Sequence, residues 1–248
     1  MTLILNTLIY ADKRTKGEKQ VDMVTPIADL GADGIELRRE YFDDVAVELP
    51  ETAQKAKDCG LLINYSVPDV LFCEDGRFNP KIAGYYEEGK QAGINKIKFN
   101  IGNFEQFKGS LKVVLGDLTQ LIETNIENDQ SQQSGTIKPL ITFLEAVKSN
   151  GIDIQYVYDM GNWAFVNEDA TVAAQKLAPY TRYIHLKNTV NNAGKLTTPD
   201  NIELGLYDWR RLLQILPNDV QFAIEYPMAD DLAVNKQMTL VKSVINKA

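Results

Sequence analysis

The chain has 248 residues, 44% of them hydrophobic and 24% charged, which is the composition of a globular protein long enough to bury a core without disulfides or a structural metal. Lysines and arginines number 26 against 34 aspartates and glutamates, a net charge of -8 that is the wrong sign for gripping phosphate backbones, so no nucleic-acid partner is expected. No apolar run approaches the ~18 residues of a membrane span. The N-terminal run lacks a signal peptide's basic region, and Cys59 and Cys73 fit neither a disulfide framework nor a zinc motif, so a cytoplasmic chain with no membrane partner is expected.

In chain order the predicted strands occupy residues 3–9, 34–37, 61–66, 96–101, 121–127, 154–159, 183–187 and 220–226. Helix signals separate them. Asn79 followed by Pro80 opens one helix and Gly93 closes it. Ile137, Leu140, Ile141, Leu144 and Val147 recur at helical spacing after Thr136 and stop at Gly151. Asn167 precedes Glu168 and Asp169, acids suited to a first helical turn. Asp208 precedes Trp209, Leu212, Leu213 and Leu216, and Pro217 ends that run. Residues 128–135 and 188–206 read as loops. Strand–helix alternation repeated eight times over this length predicts an α/β protein, a single (β/α)8 TIM barrel spanning 1–248. A doubly wound sheet is disfavoured because no Gly-x-Gly-x-x-Gly follows any strand.

Side chains alternate between the faces of a strand. Ile97, Phe99 and Ile101 share one face, leaving Lys98 and Asn100 on the other; Ile184 and Leu186 oppose Tyr183, His185 and Lys187. Ile35 and Leu37 likewise oppose Glu36 and Arg38, while the sixth strand is ambiguous, with Tyr156 and Tyr158 on one side and Val157 and Asp159 on the other. Turning the apolar faces toward the helices leaves Glu36, Lys98, Asn100, Glu127, Asp159, His185, Lys187 and Glu225 inside. Buried without partners, such groups cost several kcal/mol each.

Glu127, Asp159, His185 and Glu225 fall at the ends of four successive strands, separated by 32, 26 and 40 residues. Strands lie ~4.8 Å apart, so side chains at matching heights reach one point. Three clustered carboxylates repel one another unless a cation intervenes. The donor set suits Mn²⁺, Mg²⁺, Co²⁺ or Zn²⁺.

At these residues the sequence resembles the xylose isomerase-like TIM-barrel superfamily, which includes sugar phosphate isomerases and epimerases and endonuclease IV. Gly31-Ala-Asp-Gly-Ile-Glu36-Leu-Arg38 resembles its second strand, Asn125-Ile-Glu127-Asn128 its fifth and Tyr158-Asp159-Met-Gly-Asn162 its sixth. Tyr183-Ile-His185-Leu-Lys187-Asn188 is similar to its His-x-Lys-Asp signature, with Asn188 in place of the acid, and Phe222-Ala-Ile-Glu225-Tyr226 to its eighth strand. The resemblance implies one divalent metal ion held by Glu127, Asp159, His185 and Glu225, with Glu127 and Glu225 also moving protons. A trinuclear endonuclease site needs several histidines, and this chain has one.

The expected function is a metal-dependent isomerase or epimerase of a small sugar-like substrate, working by α-proton abstraction through an enediolate. Lys98 and Lys187 are placed to neutralise an oxyanion, Asn64, Asn100, Asn128 and Asn162 to bind hydroxyls, and Glu36 is grouped with these substrate contacts. Trp163 and Trp209 are assigned to packing before a sugar wall. A dehydratase of inosose or dehydroshikimate type and a non-catalytic binding barrel are the alternatives. Barrels of this kind often pair, so a homodimer stays open.

Overall fold

Apolar residues at alternate positions, many β-branched or aromatic, form strands that close on themselves. The computed structural model describes residues 2–246. Its strands are β1 Thr2–Asn6, β2 Gly34–Arg38, β3 Leu62–Phe72, β4 Lys96–Gly102, β5 Glu123–Glu127, β6 Ile154–Asp159, β7 Thr181–Leu186, β8 Val190–Asn192, β9 Lys195–Thr197 and β10 Gln221–Ile224. All except β8 and β9 make a closed barrel in the ring order β1-β2-β3-β4-β5-β6-β7-β10, every neighbouring pair parallel. The TIM barrel expected from the alternation is present.

The parity divides the interior into two separate cores. Ile35, Leu37, Ile63, Ile97, Phe99, Ile126, Ile184, Leu186 and Phe222 point outward and pack with helix residues such as Val24, Leu49, Phe143, Leu177 and Val241. Inside the ring, Ile4, Val157, Tyr183 and Ala223 form a small apolar plug of their own. The ambiguous sixth strand resolves accordingly: Tyr156 and Tyr158 join the outer core, and Val157 goes to the plug. A register shift beside Val157 sets Asp159 opposite His185 on the neighbouring strand. Above the plug the inward positions become polar, and this end of the barrel carries the site.

Helix boundaries follow the chain's punctuation, with local revisions. Gly93 closes the helix Ile82–Ala92 with φ +66°, a left-handed conformation that suits glycine. Asp169 was expected inside a first turn; instead it caps the helix Ala170–Leu177 by accepting from Val172 N at 2.9 Å. Asp208 caps Trp209–Ile215 in the same way. The first strand ends at Asn6, short of residue 9, because Asn6 Oδ1 accepts from Leu8 N at 2.8 Å and starts a 3-10 turn. The third runs past residue 66 to Phe72, its register on β4 shifting between Ser66 and Val70. Of the predicted loops, 128–135 contains the short helix Gln132–Gly135, and 188–206 contains the antiparallel hairpin β8–β9.

Candidate metal centre and its cavity

Four donor atoms converge above the plug. Glu127, Asp159, His185 and Glu225 each offer one ligand atom within 4.8 Å of the others, and all four residues are buried. A division of labour governs their atoms. In each residue one atom is held by a neighbour while the other faces the common centre.

Asp159 Oδ1 accepts from the backbone N–H groups of Gly161 and Asn162 at 2.8 and 3.0 Å, leaving Oδ2 facing in. Glu127 Oε2 accepts from Lys98 Nζ at 2.6 Å, leaving Oε1. Glu225 Oε1 accepts from Asn6 Nδ2 at 3.0 Å and Arg38 Nη1 at 2.8 Å, leaving Oε2. His185 Nε2 lies 3.2 Å from Glu36 Oε2, which directs Nδ1 inward. Glu36 is itself fixed by Asn6 Nδ2 at 2.6 Å and Tyr183 Oη at 2.8 Å. Outer partners of this kind set the orientation and tautomer of metal-binding side chains.

The inner atoms crowd one another. His185 Nδ1 stands 2.7 Å from Glu127 Oε1 and 3.0 Å from Glu225 Oε2, yet a single N–H serves only one acceptor well. Glu127 Oε1 and Asp159 Oδ2 are buried and accept no hydrogen bond of sound geometry. Orphaned inward oxygens beside an imidazole nitrogen are what a divalent cation requires, so the residues present fit such an ion.

The electrostatics of the protein groups alone express the same crowding. Burial pushes Glu127 upward, but Lys98 and His185 outweigh it and hold the carboxyl at about 2. Glu225 is held well below the ordinary range against its burial, chiefly by Lys187, His185 and Lys98. Asp159 moves the other way, to about 6: burial dominates, Lys187 opposes it, and the Glu127 and Glu225 charges add to the rise. Burial disfavours the His185 imidazolium, yet Glu36, Glu225 and Glu127 together raise its pKa well above the ordinary value. Both glutamates therefore stand ionised, the form that accepts a proton.

A cavity of about 530 Å³ opens above this floor, lined among others by Arg38, Ser66, Asp129, Gln130 and Thr198. Of the four donor residues, Glu127 and Glu225 line it, whereas Asp159 and His185 lie beneath. Lys98, Asn100 and Lys187 reach it, as expected from parity, and so does Asn162, which lies beyond the end of β6. Glu36, Asn64 and Asn128 do not. Glu36 is fully buried behind His185. Asn64 lies deeper, donating to Gln221 at 3.2 Å. Asn128 braces the sixth strand, its Nδ2 donating to Asp159 O and its Oδ1 accepting from Asp159 N and Tyr156 Oη. Trp163 and Trp209 are packed into the outer core. A larger hollow, about 830 Å³, opens at the opposite mouth, where Lys96 pairs with Glu123, but no comparable donor set gathers there among the described residues.

No family model matches the sequence, and no curated protein is similar to it. Several solved structures match this chain over nearly its whole length and theirs. The probable 3-DHS dehydratase AsbF from Bacillus anthracis superposes with a TM-score of 0.72 at 14% identity, covering 98% of this chain and 99% of its own. The IolI protein with a bound zinc atom gives 0.71 at 16% identity, covering 100% and 99%. D-allulose 3-epimerase from Methylomonas sp., in complex with D-allulose, gives 0.71 at 11%, covering 98% and 97%. A protein containing a xylose isomerase domain, from Salmonella typhimurium, gives 0.70 at 13%, covering 98% and 96%. The fold is that of the xylose isomerase-like barrels.

Within this xylose isomerase-like barrel, sequence reading passed over several residues that shape the site. Arg38 shares the inward face of β2 with Glu36, so parity alone could have flagged it. Asn6 ends the first strand on the inward face, and its amide bridges Glu36 and Glu225. Asp129, Gln130 and Thr198 lie beyond strand ends, where alternation carries no signal. Asn188 organises a loop. Its Nδ2 donates to Ile202 O and Tyr207 O, each at 3.0 Å, and its Oδ1 accepts from Thr189 N and Tyr207 N.

Proposed function

We propose that this chain is a divalent-metal-dependent isomerase or epimerase of a small sugar-like substrate, acting by proton abstraction next to a carbonyl. One observation carries the reading: of four residues with converging donor atoms, the two glutamates also line a cavity of substrate size. Glu127, Asp159, His185 and Glu225 would hold the ion, their donor set suiting Mn²⁺, Mg²⁺, Co²⁺ or Zn²⁺. When bound, it supplies Lewis-acid stabilisation of the negative charge that develops on the substrate's oxygens.

The remaining work falls to side chains. An ionised Glu127 or Glu225 takes the α-proton and becomes a carboxylic acid, while the C–H electrons pass into the enediolate. In an isomerisation that acid returns the proton to the neighbouring carbon; in an epimerisation the other glutamate delivers to the opposite face a proton taken up from solvent, and the first releases its own to solvent. The carboxylates come from β5 and β10, which are separated in the ring by β6 and β7, and so approach the centre from different sides. Lys98, Lys187 and Arg38 bring positive charge to the walls, and Asn100 and Asn162 offer amides to hydroxyls. The epimerase and zinc-bound IolI neighbours support this assignment.

The lysines also favour a second reading, a dehydratase, because an ammonium beside the cavity can protonate a departing β-hydroxyl; AsbF supports it. Metal analysis of the purified chain, followed by deuterium exchange at the α-carbon of ketose and aldose candidates, tests the proposal. Exchange is expected in the wild type and lost in the Glu127→Gln, Glu225→Gln double variant. Exchange that persists in the double variant overturns the mechanism. Product mass separates the two readings, since only dehydration changes it.

A further inference from the structure

Lys187 breaks the division between held and inward-facing atoms. Lys98 and Arg38 bind the outer oxygens of their carboxylates, Glu127 Oε2 and Glu225 Oε1. The Lys187 ammonium instead lies 2.6 Å from Asp159 Oδ2 and 3.3 Å from Glu225 Oε2, both of which face the common centre. Its contact with Asp159 Oδ2 is one of charge, because that oxygen accepts no well-aligned hydrogen bond.

Resting on the metal reading above, we propose that Lys187 is an internal competitor of the divalent ion, while Lys98, equally buried and equally charged, is its supporter. An ion held by Asp159 Oδ2 and Glu225 Oε2 and the ammonium draw on the same negative charge and repel each other. The Lys98 ammonium polarises Glu127 from behind and leaves Oε1 free. Lys187 also lines the cavity. Ion binding therefore turns a lysine neutralised by the floor into a cation available to a substrate's oxyanion. By reciprocity, an oxyanion that engages Lys187 tightens the ion.

The two lysines give opposite signs in one measurement. Mn²⁺ binding to the chelator-treated full chain is followed by calorimetry at fixed pH, for wild type, Lys187→Met, Lys187→Gln and Lys98→Met. Neutralising Lys187 is expected to tighten Mn²⁺ about tenfold or more, within the range of strong site–site coupling. Removing Lys98 is expected to loosen it about tenfold, as loss of an outer partner does. Two neutral replacements guard against one that misfolds, and circular dichroism of the metal-free proteins verifies each. Unchanged or weaker Mn²⁺ binding in both Lys187 variants, with the wild type binding the ion, overturns the competitor role and leaves the metal reading intact. No Mn²⁺ binding by any of the four proteins overturns the metal reading and this inference together.

Discussion

Replacing Asn188 by aspartate tests how the segment between β7 and the helix Trp209–Ile215 is held. Asn188 is almost wholly buried, and its amide meets two carbonyls on one side and two N–H groups on the other. That arrangement defines which end is nitrogen, because only Nδ2 can donate to Ile202 O and Tyr207 O. Gly205 presses against it; a Cβ there would stand 2.2 Å from Asn188 Oδ1. Aspartate keeps the two acceptor contacts but sets a carboxylate oxygen against two carbonyl oxygens. Each carbonyl then loses its donor from Asn188, at about 1–3 kcal/mol apiece for a buried group. The sum is about 2–6 kcal/mol, or a melting temperature lower by about 4–24 °C in a chain of this size. A protonated aspartic acid recovers one donor, so the deficit should shrink as pH falls. Calorimetric or fluorescence melts from about pH 4 to 8 read both effects. A melting temperature within about 1 °C of wild type at neutral pH would refute the clamp.

Two further predictions concern the floor of the site. Glu36→Gln replaces an acceptor-only group with an amide that cannot serve Asn6, Tyr183 and His185 together, so Mn²⁺ affinity should fall about 10–100-fold while the fold persists; unchanged affinity in a calorimetric titration rejects Glu36 as the residue that orients His185. In metal-free protein the Glu127 and Asp159 carboxyls shift in opposite senses, to about 2 and about 6. Ionised Glu127 contributes stability above the unfolded value near 4.5 and loses it as pH falls toward 2, whereas the Asp159 contribution is complete below 3.8 and is lost as pH rises through 6. Urea melts across about pH 3–7 should therefore show Glu127→Gln losing ground to wild type as pH rises over the lower part of the range. Asp159→Asn should gain ground over the upper part, and parallel curves for both variants would contradict the coupled network.

Much of the barrel could be read one strand at a time. The alternation of Ile97, Lys98, Phe99 and Asn100 is a local property of sequence, and it names the inward face wherever one parity is apolar. It gave no answer on β6, where Tyr156 and Tyr158 alternate with Val157 and Asp159. There the outcome depended on what each tyrosine could reach: Tyr156 Oη donates to Asn128 Oδ1 at 2.6 Å and Tyr158 Oη to Ala170 O at 2.6 Å, both on the outer side. Parity also says nothing of depth. Glu36 and Arg38 share a face, yet one lies beneath the floor and the other lines the cavity, because only relative heights around the ring decide which side chain meets open space.

Residue identity and spacing thus determined by themselves the eight-fold alternation, the polar mouth of the barrel, and the four donor residues at consecutive strand ends. Tertiary structure alone decided which atom of each donor is held and which is left facing the centre. The holding partners lie far away in sequence, Asn6 being 219 residues and Arg38 187 residues from Glu225. Such pairs exist only once the ring has closed and its register brings β1, β2 and β10 to common height. A strand's alternation is fixed by its own backbone, whereas the partner of a buried charge is chosen by the closure of the whole barrel.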